Sequence, residues 1–207
     1  MENSGKFIII EGIDGCGGET QTNLLSEFLL NKGKQAEKIT FPQYDKPIGK
    51  LIDAFLYEKY DFTPEVQALV YFTEFVQNKD GMEKNLKSGK ILISDRYFTS
   101  TLAYQGLRGI ETEKMLQLSR IFNIPKPDLT ILVKISAETS MKRKLTEKEG
   151  NVDRNEKDYE FLNNLAERYD NLAENNVFCP WATVDGEKSI EEVFNQIVSL
   201  VNKKLNI

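Results

Sequence analysis

The chain has 207 residues, with 27 Lys and Arg against 32 Asp and Glu, a net charge of −5 and no histidine. That length suits one domain with a sizeable core, or a domain carrying a lid. The acidic balance argues against a nucleic-acid partner, which needs concentrated basic surface, and the missing histidines exclude imidazole bases and His metal ligands.

In chain order, "KFIIIEG" reads as an apolar strand running into a glycine-rich turn and then a helical pattern. "AEKITFP" is a second strand. Thr63-Pro64 sets an N-cap before a proline at the first helical position, predicting a long helix towards Ser88 that Gly89 ends. Ala68, Leu69, Phe72, Phe75 and Val76 are expected to share the core face of that helix. "KILISDR" and "DLTILVKI" are the third and fourth strands and "NVFCPWATVD" contains the fifth. Between the last two lies a charged stretch at about 142–160, "KRKLTEKEGNVDRNEKDYE", too polar for a core. It is either a solvated helix-turn-helix or a mobile lid over a charged substrate. Alternating strands and helices predict an α/β fold: a five-stranded parallel sheet flanked by helices, forming a single domain over 1–207 with a short lid.

Cys16 and Cys179 form no disulfide framework or zinc spacing, which fits the cytoplasm. No apolar run approaches the roughly 20 residues of a membrane span, and "MENSGKF" has no signal-peptide core, so no membrane association is expected.

The first turn, "GIDGCGGETQ", follows the spacing of a phosphate-binding loop, with Gly12 and Gly17 in place. Gly18 stands where that motif has lysine, and Glu19 where it has Ser or Thr. The backbone alone contributes much of such a site: N–H groups from Gly15 to Thr20 at a helix N-terminus form an anion nest whatever the side chains are, the alternative being a glycine-rich turn with no ligand. Cys16 reads as a small residue that fits the loop. Glu19 is either a hard-oxygen ligand for Mg²⁺ or an ordinary acid of the first helical turn, with Thr20 as the nearest substitute hydroxyl.

Taken together, "EGIDGCGGETQ", "FPQY", "DRYFTSTLAYQG", "PKPDLTILV" and "VDGEKSIEEV" resemble, in order and at strand ends, the segments of the thymidylate kinase family. The resemblance covers nearly the whole chain and implies a P-loop kinase fold. The implied activity is transfer of the terminal phosphate of ATP to dTMP, with Mg²⁺, by a cytoplasmic homodimer acting on small-molecule nucleotides. Two departures keep other readings open. The degenerate loop would suit a nucleotide-binding protein that has lost turnover. Val76, where the family has an arginine that reaches base and phosphate, would suit another pyrimidine acceptor such as dUMP, dCMP or UMP.

Residue by residue, the resemblance implies that Asp95 helps hold the Mg²⁺ shell, with Thr20 and Glu19 as further candidate ligands. Arg96 is implied to clamp the acceptor phosphate and Asp14 to face the acceptor sugar and the metal. Phe72 matches the phenylalanine that stacks on the base, Tyr104 the aromatic beside the sugar, and Tyr44 a phosphate contact. Phe41 and Pro42 precede it, while Thr101, Gln105 or Gln77 lie where the base is read. On the donor side are Gly12, Gly15, Cys16, Gly17 and Gly18 of the loop, Arg143 packing on adenine, and Asp185 and Gly186 beside the adenine edge. Asp153 and Glu156 match lid acids. With no lysine in the loop, the lid cations Arg143, Lys144, Lys148 and Arg154 are the candidates to neutralise the transferring phosphate, Arg143 and Arg154 foremost.

Overall fold

The computed structural model describes residues 5–147 and 158–207. The predicted charged stretch is therefore covered only at its two ends, and Lys148, Asp153, Arg154 and Glu156 lie outside the described residues.

Five parallel strands form one sheet in the order β2-β3-β1-β4-β5: β1 (Lys6–Glu11), β2 (Ala36–Thr40), β3 (Ile91–Asp95), β4 (Leu129–Lys134) and β5 (Trp181–Asp185). β1, β3 and β4 are buried almost end to end because helices cover both faces of the sheet. Phe7, Ile8, Ile9 and Ile10 are wholly buried at its centre. The fifth strand is shorter than its sequence suggests. Asn176 and Phe178 adopt positive φ, so the chain is extended only from Trp181, whose N–H is donated to Asn176 Oδ1.

Helix α1 (Gly18–Asn31) follows β1, and α2 (Pro47–Leu56) follows β2. The long helix α3 spans Pro64–Lys87. Thr63 Oγ1 accepts the Val66 N–H at its start, and Gly89, at φ 84°, turns the chain into β3 at its end, as the sequence predicts. Ala68, Phe72 and Phe75 are buried and Val76 partly so, but Leu69 is 51% exposed. The apolar stripe is narrower than expected, because Leu69 lies about 100° around the helix from Ala68. Helices α4 (Phe98–Leu107), α5 (Thr112–Ile121), α6 (Ala137–Glu147), α7 (Tyr159–Glu174) and α8 (Ile190–Leu205) complete the layers. Among the described residues, no helix is long and apolar enough to cross a membrane.

A small second core joins α2 to α3: Ile52, Phe55 and Leu56 pack with Phe62, Val70 and Tyr71. It hangs beside the C-terminal end of the sheet. Gly49 of α2 lies so close to the turn after β2 that a Cβ there would sit 1.9 Å from the Gln43 carbonyl oxygen. Only glycine lets that helix rest on that turn.

Candidate functional site

The loops after β1, β3, β4 and β5 meet at the carboxyl ends of the strands, on either side of central β1, where open α/β sheets bind ligands. One charged group stabilises the junction from below. Glu11, the last residue of β1, is 1% exposed and accepts from the Tyr97 N–H, Thr99 Oγ1, Ser100 Oγ and the Tyr169 hydroxyl. Four donors on one carboxylate tie the start of α4 and the middle of α7 to the central strand.

On the phosphate-loop side, Gly15 (φ 78°) and Gly17 (φ 87°) take the left-handed turns that carry the chain into α1. Gly17 is the N-cap and supplies no side chain, while the Gly18 N–H is directed to the buried Cys16 sulfur. The nest is smaller than the sequence implies, since the Cys16 N–H is spent on the Ile13 carbonyl oxygen. Cys16 itself is buried, and a Cβ on Gly12 would come within 2.8 Å of its sulfur. Burial pushes the thiol up to about 12, so Cys16 shapes the loop as a neutral, packed side chain.

Gly18 has a specific neighbour. A Cβ at that position would lie 2.6 Å from Asp95 Oδ1, so the Asp95 carboxyl occupies space where the stem of a lysine would begin. Burial pushes Asp95 up to about 6; Arg96 opposes this, while Glu11 and Glu19 add to it. Glu19 and Thr20 are exposed on α1, and among the described residues no cluster of three or more His, Cys, Asp or Glu side chains is arranged to hold a metal.

Arg143 closes this side. Nη1 donates to the Gly15 carbonyl (3.1 Å) and Nη2 to that of Gly186 (3.0 Å), linking α6 to the phosphate loop and to the loop after β5. Gly186 packs against β4 closely enough that a Cβ would strike Val133 and Ile135. Asp185 is exposed and braces that loop, accepting the Glu187 N–H on Oδ1.

On the other side of β3 the structure is different in kind. Arg96 takes a left-handed φ of 63°, a conformation that costs energy outside glycine and clusters at functional sites. Its Nη2 donates to Asp14 Oδ1 at 2.6 Å, and the Tyr104 hydroxyl donates to Asp14 Oδ2 at 2.9 Å. The guanidinium also lies 5.7 Å from the Tyr104 ring centroid. Ser140 Oγ holds the Asp14 carbonyl, so the phosphate loop, α4 and α6 share this node.

Arg96 stands at the edge of a cavity walled by Asp14, Phe41, Pro42, Tyr44, Thr101, Tyr104 and Gln105, all candidates from sequence. The wall also contains Leu56 from α2, Tyr71, Glu74 and Phe75 from α3, and Tyr97 and Ser100. Phe72 is absent from it: 4% exposed, its ring packs edge-on against buried Phe98 (5.7 Å) and against the half-exposed Phe122 (5.8 Å). Besides Phe75, the aromatic of α3 that lines the cavity is Tyr71, one residue earlier. The residue four further on is then Phe75, not Val76, and neither places an arginine there. Gln77 is exposed and is not part of the wall.

A family model described as Thymidylate kinase matches residues 10–197. The chain is 34% identical over 209 residues to a probable thymidylate kinase of Thermococcus kodakarensis, covering 96% of this chain and 98% of that one. It is equally 34% identical over 206 residues to a thymidylate kinase of Thermosipho africanus, with the same coverage. In fold it is similar to the thymidylate kinase of Candida albicans, with a TM-score of 0.76 at 23% identity over 98% of this chain and 93% of the other.

Proposed function

Because the chain belongs to the thymidylate kinase family, we propose that it transfers the terminal phosphate of ATP to dTMP, giving dTDP and ADP. The observation that carries this reading is Arg96, pinned by Asp14 at the edge of an aromatic-walled cavity and one strand away from a glycine nest. A planar fork with remaining donors suits an acceptor phosphate, and the cavity suits a nucleoside. The nest at the start of α1 suits the phosphates of the donor.

Phosphoryl transfer asks the protein for positioning and for positive charge around the moving group. Asp14 and Tyr104 hold Arg96 in one orientation before substrate arrives, so no ordering is needed at the moment of reaction. The residues present fit Mg²⁺: Asp95 is a hard-oxygen ligand whose buried carboxyl a cation would relieve, with the Thr20 hydroxyl and Glu19 as further oxygens. When bound, the metal would neutralise phosphate charge. Arg143 sits between the two donor-side loops, and with Arg154 it takes the place of the missing loop lysine. The stretch at about 142–160 acts as a lid on a single kinase domain. The enzyme works in the cytoplasm, in keeping with its two free, buried cysteines. It functions as a homodimer, for which exposed Val66 and Leu69 on α3 offer an apolar surface and which light scattering would test.

The deciding experiment is ADP production from the purified chain with MgATP and dTMP, with dUMP, dCMP, UMP and AMP in parallel. We expect turnover on dTMP that is abolished when Arg143→Ala and Arg154→Ala are combined. No turnover with any acceptor, restored by Gly18→Lys with Glu19→Thr, would instead mean a nucleotide binder whose loop has ended catalysis.

A further inference from the structure

The acceptor cavity carries more polar chemistry than its phosphate clamp uses. Three side-chain atoms on its wall have no hydrogen-bond partner: Glu74 Oε2, Tyr97 Oη and Gln105 Oε1. The three residues are 2%, 0% and 3% exposed. One buried orphan is a local imperfection. Three on a single wall mark where a polar ligand completes the site.

Glu74 is the most telling of the three. It stands on α3 among Tyr71, Phe72 and Phe75, where the stripe is otherwise apolar. Its Oε1 accepts the Gln43 N–H at 2.5 Å and so fixes the turn after β2, but that leaves Oε2 idle. The charged side chain that biases it most is Asp45, of like sign, and burial raises the group to about 7. Of its two oxygens, only Oε1 has a structural task among the described residues.

Resting on the kinase reading above, we propose that Glu74 determines which acceptor base the cavity takes, its Oε2 accepting the ring N–H of an imide pyrimidine, thymine or uracil. The imide edge presents one N–H flanked by carbonyl oxygens, and the orphan hydroxyl of Tyr97 can donate to a carbonyl. With the carboxyl ionised, as it is above about pH 7, a cytosine turns the lone pair of its N3 towards it, acceptor against acceptor. Polar groups of this kind give strong discrimination because the wrong base leaves them buried and unsatisfied. Phe75, at the position where an arginine would otherwise reach the base, cannot supply such a contact, which leaves the task to its neighbour.

Glu74→Gln tests this directly. The amide keeps a carbonyl oxygen for the Gln43 N–H but replaces the free acceptor by an NH₂ donor. Equilibrium binding of dTMP and dCMP would be measured calorimetrically on the full chain, native and variant, with MgATP turnover in parallel. We expect dTMP affinity to fall by about 10- to 100-fold and the preference for dTMP over dCMP to fall with it. As a check that needs no variant, dTMP methylated at N3 should bind the native chain at least about tenfold more weakly than dTMP. A Glu74→Gln affinity for dTMP within twofold of native, or an equal loss for both nucleotides, would overturn the assignment and leave Glu74 as a loop anchor. Native binding without turnover, weakened by Glu74→Gln, would sink the kinase reading and keep this one. Native turnover unaffected by Glu74→Gln would do the reverse, and failure of the native chain to bind either nucleotide would sink both.

Discussion

The two sides of β3 are built by different means. The phosphate loop relies on backbone: glycines at positive φ, a helix N-terminus with no capping side chain, and an arginine that braces two carbonyls from outside. The acceptor side relies on side chains fixed in advance, with Arg96 held by Asp14 and aromatic walls anchored in the core. Backbone geometry survives substitution of side chains, so a loop can lose its lysine and still present N–H groups. A side-chain clamp has no such reserve. Tolerance and fragility therefore lie on opposite sides of one strand.

The comparison predicts its largest effect at the clamp. Arg96→Ala should lower turnover on dTMP by about 10²–10³-fold, the usual loss for one preorganised electrostatic donor. Arg96→Lys should recover little of it, because an ammonium cannot bond Asp14 and a phosphate through one planar fork. Steady-state kinetics decides the matter. If Arg96→Ala costs less than replacing Arg143, the transferring charge is handled chiefly from the donor side and the contrast between the two sides is wrong.

A smaller effect separates two adjacent aromatics. Tyr71→Ala should raise the KM for dTMP by about 10- to 100-fold, the range found for removing a ring on which a base stacks. Phe72→Ala should leave KM nearly unchanged and destabilise the fold by about 3–5 kcal/mol, as a buried phenylalanine does. Acceptor kinetics together with urea unfolding of both variants reads the split. A raised KM for Phe72→Ala at full stability would return the stacking role to Phe72.

That pair also shows how far the sequence could be read. The five strands, the span of α3 and its two ends were legible, because alternating apolar runs, Thr63-Pro64 and Gly89 each have a local cause. So were the places of Asp14, Arg96 and the turn Phe41 to Tyr44 after strand ends, and of Tyr104 on the helix after β3. The facing of α3 was not. Tyr71, Phe72 and Phe75 are all aromatic, and a shift of one residue rotates the helix by about 100° without changing its apolar character. Only the packing of Phe72 against Phe98 and Phe122 fixes the rotation, and those partners are distant in sequence. The Asp95 carboxyl in the space above Gly18 and the use of the Cys16 N–H by Ile13 are likewise contacts across loops. The one sequence signal left unread was Glu74, an acid within an apolar stripe.

The smallest effect concerns what that acid costs the empty protein. Its folded value, about 7, lies above the ordinary 4.5, chiefly through burial, with Asp45 adding to the shift and the Gln43 N–H opposing it. The folded chain therefore binds more protons than the unfolded chain between those values, and stability falls as pH rises from about 4.5 to about 7, then levels. The slope from this one group reaches at most about 1.4 kcal/mol per pH unit. Urea unfolding at pH 5, 6, 7 and 8 should show it in the native chain, and Glu74→Gln should lose it, since an amide does not titrate. Parallel pH profiles for the two proteins would mean that Glu74 ionises at its ordinary value and carries no burial cost. The expected divergence would give the acceptor side a measurable trait that the backbone-built phosphate loop lacks: a polar group held ready at the expense of stability.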